Sequence, residues 1–494
     1  MNQNATTPPA QPAQAVQPAI DYADVQGTIL RGYRVDFARH FVLTISNAAA
    51  TGALLLALGN GSNGLPKITT ARRVMPKPAS FLNISFTCPG LRAMGVAEAD
   101  LQTFDSSFYV GATNTAIANS VGDVGPSAPA NWIGGLNDGE QVHILLSLWV
   151  RDSLDVLETV SSQLRAAFAG AVTELFVHDA AALPDDKVHF GYRDSIAQPN
   201  VIGAPASKYP PDDQPAVLTG EFLLGYPNET GGVYSVSPAQ LSTNGSYAAF
   251  RILEQDVAGF DALLQSWADS TGLDTEMVAA KICGRWRNGN PLELAPEAQG
   301  TVLPDAQLNN FTYVSTDPAK DDTLGFKCPI GSHIRRNNPR DEAIVGTNST
   351  HHRIIRRAMP YGPPYDPQNT GQNAEQSQQN VTRGLIGYFI NASIKNQFEF
   401  LSSQWNLLSS FVKSATGPGG SADGNAVFNI SGEDVFLGVN DPASSSFTFA
   451  KPGKNGKANS NVTGWSRTIT TRGGVYCFFP GIGGLQYLAS LPTA

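Results

Sequence analysis

The sequence predicts an α+β fold in which helices pack on one side of antiparallel sheet, arranged as two domains. Three observations lead there. Segments of strand composition alternate with long segments of helical periodicity, and polar positions recur along one face of the strands. The chain has 494 residues, more than one ordinary core holds. With 41% hydrophobic and 15% charged residues, 48 glycines and 33 prolines, it reads as globular and loop-rich.

Residues 1–20 form a Pro/Ala/Gln tail with too little apolar surface to pack, so order is expected from Asp21 onward. Phe37 to Ser46 (FARHFVLTIS), Ala79 to Thr87 (ASFLNISFT) and Gln141 to Arg151 (QVHILLSLWVR) have strand composition. From Asp152 to Phe168 the period changes: Leu154, Val156, Leu157, Val160, Leu164 and Phe168 recur at short helical spacings, with Asp152 as N-cap and Gly170 as stop. Ala171 to Asp179 returns to strand. Ala182-Leu-Pro-Asp-Asp-Lys187 then breaks the pattern, which places one domain at 21–185 and a second at 186–494. In the second, Phe222 to Leu224, Ala248 to Glu254 and Gly474 to Pro480 read as strands. Val257 to Thr271, Thr275 to Cys283 and Ile394 to Val412 read as helices. Between about 285 and 350 the chain is rich in Asn, Pro, Gly and Asp, and a loop region of that length inside a compact domain usually carries function.

A formal charge of −9 argues against nucleic acid or an anionic membrane surface as partner, because both need a basic face. The longest apolar runs fall short of a membrane span. Residues 1–19 show no charged n-region and no apolar h-region of a secretory signal, while sequons such as Asn60-Gly-Ser and Asn348-Ser-Thr permit secretion. The four cysteines lie far apart without CxxC spacing, which excludes a ribbon-type zinc site, and Cys88 and Cys477 fall in apolar runs suited to buried free thiols.

Only seven histidines occur, and one stands in unusual company: Cys328-Pro-Ile-Gly-Ser-His333-Ile-Arg335-Arg336-Asn-Asn-Pro-Arg340. An imidazole that ligates haem iron must be held in one orientation, and acidic propionates need cations nearby. Upstream lies His189-Phe-Gly-Tyr-Arg-Asp194-Ser195-Ile-Ala-Gln-Pro199; downstream lies Arg353-Ile-Ile-Arg356-Arg357-Ala-Met-Pro-Tyr361-Gly. Considered alone, Asp194 reads as a turn aspartate bonded to local N–H groups. A positioned carboxylate can equally act as a general base that takes a proton from one atom and returns it to another, and it stays ionised in acid where histidine does not.

Taken together these segments resemble the dye-decolorizing peroxidases, most closely the large fungal members. Val25-Gln-Gly-Thr-Ile-Leu-Arg-Gly32 is similar to the family's N-terminal motif with Thr28 in place of its acid, and Gly90-Leu-Arg-Ala-Met-Gly-Val96 and Gly474-Val-Tyr-Cys-Phe-Phe-Pro480 match further landmarks. The resemblance implies two ferredoxin-like α+β domains with haem b in the C-terminal one. It implies that hydrogen peroxide oxidises the haem, and that dyes, phenols and similar aromatic donors restore it in one-electron steps. Carried over residue by residue, it makes His333 the axial iron ligand, Arg340 the propionate partner, Asp194 the acid–base group and Arg356 the distal arginine, with Arg353 and Arg357 as competitors. Tyr361 and Trp405 stand where the family relays electrons, although packing explains either ring as well. A carboxylate should accept the second ring proton of His333, and Asp423 and Asp434 are both in range. One departure stands out: the motif glycine after Asp194 is Ser195, which strains or shifts the loop if a positive φ is required there.

Overall fold

A computed structural model describes residues 18–205, 214–340, 348–366, 381–408, 432–452 and 459–491. The proposed tail therefore lies almost wholly outside the described residues. Eight strands carry the architecture: β1 (Phe37–Ile45), β2 (Ser80–Phe86), β3 (Ile144–Val150), β4 (Val172–Ala181), β5 (Ser246–Gln255), β6 (Ile355–Tyr361), β7 (Gly384–Asn391) and β8 (Ile469–Phe479). They form one sheet in the order β4-β1-β3-β2-β8-β5-β7-β6, with every neighbouring pair antiparallel. The seam between its halves is narrow, a single register pair of Phe86 with Phe478. Each half places its fourth strand beside its first, then its third, then its second.

Local chemistry sets the helices that cover this sheet. Helix α1 (Ala48–Asn60) starts where the Asn47 side chain accepts from Ala50 N–H, and ends at Gly61 with φ 68°. Helix α2 (Leu154–Phe168) buries Leu157, Ser161, Leu164 and Phe168 on one stripe. Its cap is Ser153, which accepts from Val156 N–H, and not Asp152, whose own φ of 64° puts it outside the helix. Helices α3 (Val257–Thr271) and α4 (Thr275–Cys283) follow as the sequence indicates, each capped by an aspartate. The segment expected to be helical from Ile394 is a pair of π-helical stretches, Ile394–Glu399 and Leu401–Asn406, and Val412 lies outside the described residues. Phe222 to Leu224 is not a strand; it follows a 3-10 turn, and its three side chains are buried.

Two strands escape a pattern-based reading, β6 and β7. β6 carries Arg356, Arg357 and Pro360, and β7 carries Gly384 and Gly387. Charged residues, proline and glycine are depleted in strands, so composition hides both. They persist because alternate residues face opposite ways. Ile355, Met359, Ile386, Tyr388 and Ile390 enter the core shared with the first half, where Tyr388 reaches Ser147 on β3. The other face of β5–β7, with Arg251, Leu253 and Phe389, is turned toward a cleft. Two smaller cores lie beyond it, one around Phe190, Phe260, Phe436 and Trp465, the other around Trp286, Tyr313, Cys328 and Trp405. Ile334 packs against both.

A last helix, α6 (Ile482–Ser490), returns to the first half, and Gly52 of α1 lets the Ala489 backbone come close. All four cysteines are free and buried. No helix among the described residues is long and apolar enough to cross a membrane.

Candidate active site

His333 opens the five-residue helix α5 (His333–Asn337), and the two arginines beside it are structural ties. Both are fully buried. Arg335 donates to the Cys328 and Asp322 carbonyls, pairs with the Asp322 carboxylate at 3.1 Å and lies 4.1 Å from the centre of the Tyr313 ring. Arg336 donates to the carbonyls of Gly331, Trp405 and Gly432. These bonds fix the backbone that carries His333. A second device fixes its ring: Nδ1 lies 2.9 Å from Asp434 Oδ2, and the other Asp434 oxygen accepts from the N–H groups of Phe436 and Leu437 at 2.9 and 2.8 Å. Burial pushes the Asp434 carboxyl up, but His333, Arg336 and the backbone donors outweigh it and hold the group below its ordinary range. An ionised Asp434 can only accept, so the ring proton belongs on Nδ1 and the Nε2 lone pair is left for a metal. Asp423 lies outside the described residues.

Cys328, a conceivable thiolate ligand, is fully buried, and burial pushes its thiol up to about 11. Its Sγ sits 3.2 Å from Ser332 Oγ. It stays a thiol in neutral water.

The second group of candidate residues is assembled by two amides. Gln198, four residues after Asp194, accepts from Arg356 N–H at 3.1 Å and donates to Arg356 O at 3.3 Å, while Arg356 Nη2 donates to Ala197 O. This clasp brings Asp194 and Arg356 within electrostatic reach: burial pulls the guanidinium down, and the Asp194 charge partly restores it. Asp194 is exposed, and its carboxylate accepts no hydrogen bond among the described residues, so it is not serving as a turn cap. Asn309 makes the second connection, donating to Ile196 O at 2.8 Å while its carbonyl accepts from Arg340 Nη1 at 2.9 Å. Arg340 also donates to Phe311 O, and its guanidinium lies 3.7 Å from the centre of the Phe311 ring. The competing arginines go elsewhere. Arg357 occupies the opposite face of β6 and donates to Thr28 O, and Arg353 is buried before the strand begins.

Ser195 adopts φ 61°, the left-handed conformation that the motif glycine would supply. That conformation costs an L-residue ~1–2 kcal/mol, and glycine gives back ~0.5–1 kcal/mol in unfolded-chain entropy. Ser195→Gly is therefore expected to stabilise the protein by a net ~0.5–1 kcal/mol, read as a rise in the urea midpoint at unchanged slope. A lower midpoint would mean that the serine makes a compensating contact.

The cleft facing β5–β7 has about 640 Å³ of space. Leu253, Ile354, Phe389, Phe398, Leu401 and Phe436 give it apolar walls. It does not include His333, Asp194, Arg356 or Arg340 in its lining, but it adjoins two of them: the Phe436 ring is 5.3 Å from the His333 ring, and Phe389 is the cross-strand partner of Arg356. Among the described residues no group of three or more His, Cys, Asp and Glu side chains could hold a bare metal ion. A lone oriented histidine suits an ion that brings its other ligands with it, as haem iron does. The donor set thus fits a haem.

Tyr361 and Trp405 are tied to the same assembly through their backbones. Tyr361 O bonds to His189 Nε2 at 2.7 Å, and Trp405 O accepts from Arg336 Nη1 at 2.6 Å. Both rings are buried, Tyr361 4% and Trp405 3% exposed, so each has a packing role whatever else it does. Gln198 and Asn309 carried no identifiable role in the sequence. Gln198 stood in a quoted motif, whereas nothing distinguishes Asn309 from the other amides of its loop.

No family model matches the chain. Curated relatives do. It is 30% identical to peroxidase 2 of Mycetinis scorodonius over 501 residues, covering 98% of this chain and 91% of that one. It is 29% identical to the dye-decolorizing peroxidase msp1 of the same fungus, covering 83% and 80%. Among solved structures, one described as a crystal structure of DyP superposes with a TM-score of 0.76 at 25% identity, covering 96% of this chain and all of the other.

Proposed function

The chain belongs to the dye-decolorizing peroxidase family, and we propose from that premise how its residues carry the reaction. It is a haem peroxidase that oxidises dyes and phenols with peroxide. We assign the cofactor as haem b, held in the C-terminal of two ferredoxin-like domains, 21–185 and 186–494. The repeated strand order of the two half-sheets supports that division.

When bound, the haem supplies an iron centre that is oxidised by peroxide and re-reduced by donors one electron at a time. His333 Nε2 would ligate the haem iron, with Asp434 orienting the ring, and Arg340 would pair with a haem carboxylate. Asp194 takes the proton from the inner oxygen of hydrogen peroxide and delivers it to the outer oxygen, which leaves as water. Arg356 stabilises negative charge on that departing oxygen as the O–O bond breaks. Tyr361 and Trp405 would pass electrons inward from bulky donors.

The observation that carries this reading is the grip of buried Asp434 on His333 Nδ1, which leaves Nε2 for a ligand. The test is rapid mixing of the haem-loaded protein with hydrogen peroxide in mildly acidic buffer. The Soret band should fall and recover when a dye or phenol is present. A fully loaded protein whose Soret band ignores peroxide would reject the assignment.

Asp434→Asn should lower haem affinity by about 10–100-fold, because an amide cannot accept from Nδ1–H and from two backbone N–H groups on equal terms. The sign with pH follows from the depressed carboxyl. Its contribution to stability is present above the ordinary carboxylate value of about 3.9 and is lost as pH falls through the lower folded value. The parent should therefore lose haem progressively in strong acid, and Asp434→Asn should lack that component when haem release is followed by absorbance.

A further inference from the structure

Three polar side chains form a sealed relay where the two half-sheets pack against each other. The Tyr388 hydroxyl lies 2.6 Å from Ser147 Oγ, which lies 2.8 Å from His40 Nδ1. Tyr388 is 1% exposed, and the other two are fully buried. His40 Nε2 has no hydrogen-bond partner among the described residues. The imidazole is instead enclosed by rings, with Trp149 at 5.2 Å, Phe250 at 5.3 Å and Tyr388 itself at 6.0 Å. The relay lies on the face of β7 opposite the cleft, but Tyr388 adjoins Phe389, whose ring lines the cleft and which pairs with Arg356. A single sheet separates it from the site.

We propose that Tyr388 is an internal redox residue, oxidised by the peroxide-activated centre when no donor is present, with its proton passing through Ser147 to His40. The inference rests on the peroxidase reading above. The step balances as follows. Tyr388 gives one electron to the oxidised centre; its phenol proton moves to Ser147 Oγ as the hydroxyl proton of Ser147 moves to the Nδ1 lone pair of His40. A neutral tyrosyl radical and an imidazolium result, and one electron from a later donor reverses both transfers.

The surroundings suit this chemistry. Burial, with His178 adding to it, pushes His40 down to about 3, so the ring is neutral and able to accept a proton across the working range. An oxidised phenol is a far stronger acid than a resting one, so even a weak base takes its proton, and a weak base returns it readily on reduction. Burial, with Cys477 adding to it, pushes the Tyr388 phenol well up, and the Ser147 and Ser85 hydroxyls offset only part of this, so the resting residue is a phenol rather than a phenolate. An imidazolium beside Trp149 disfavours a second cation there and keeps the oxidising equivalent on Tyr388.

The test uses the haem-loaded full chain carrying Tyr361→Phe and Trp405→Phe, mixed with one equivalent of peroxide without donor and freeze-quenched for electron paramagnetic resonance. A tyrosyl signal with a hydrogen-bond coupling that exchanges in D2O is expected. Adding Tyr388→Phe should abolish it. Ser147→Ala keeps the ring but cuts the proton path, and should lower the radical yield by about tenfold or more and remove the exchangeable coupling. An undiminished signal in Tyr388→Phe overturns the assignment of the residue, and full yield in Ser147→Ala overturns the proton path. Optical spectra of the same samples separate these failures from that of the peroxidase reading, in which the Soret band would not respond and both ideas would fall.

Discussion

Asp194→Asn is expected to leave haem content unchanged and to slow peroxide activation by about 10²–10⁴-fold, the range over which a positioned general base acts. The geometry makes the substitution clean. Asp194 is exposed and its carboxylate holds no local N–H group, so the amide removes a base without removing a fold contact. The backbone is held independently, by Asp194 N–H donating to Asp186 O at 2.8 Å and by the Gln198 clasp on Arg356. Stopped-flow decay of the Soret band at several peroxide concentrations gives the rate. Arg356→Leu acts on the same bond-breaking step and should cost about 10²–10³-fold. Because both residues serve one step, the double variant should fall short of the product of the two losses. A rate unchanged in Asp194→Asn would return Asp194 to the role of a loop residue.

Much of the first half was legible because its strands carry β-forming runs and helix α2 has a periodic apolar stripe, whereas α1, without such a stripe, went unread. Phe37 to Ile45, Ser80 to Phe86 and Ile144 to Val150 carry long buried runs unbroken by glycine or proline. Legibility failed where function overrode pattern. β6 has adjacent arginines that are tied on opposite faces, Arg356 to Gln198 and Ala197 and Arg357 to Thr28. Such a strand has no period-two hydrophobic signal to read. The same cause explains the mixed outcome at the site. His333, Asp194, Arg356 and Arg340 stood out as chemical types in motifs, whereas their supports are amides and a backbone conformation. Asn309 bonds at once to the Asp194 segment and to Arg340, and only a folded chain brings those segments together. The choice between Asp423 and Asp434 likewise needed a distance.

The largest stability effect is expected where the two halves meet at the cleft. Asp123, from a loop of the first half, binds Arg251 of β5 through both oxygens, at 2.6 and 2.7 Å, and the two side chains are 2% and 6% exposed. Arg251 lies between Gly387 and Gly474 on the neighbouring strands, and its guanidinium is 5.7 Å from the Trp132 ring and 5.4 Å from the Phe398 ring. A side chain at Gly474 would meet Arg251 Nη1 at 2.6 Å, so the floor of the cleft is shaped to admit this one cation. Asp123→Ala leaves that cation desolvated without its counter-charge and should cost ~3–5 kcal/mol in urea unfolding of the haem-loaded protein. Removing the charge together with its partner, as Asp123→Ala/Arg251→Met, should recover most of the loss, because two neutral residues owe no desolvation penalty. A cost below ~1 kcal/mol, the value of an exposed ion pair, would mean that water reaches Arg251 and that the cleft is open at that end.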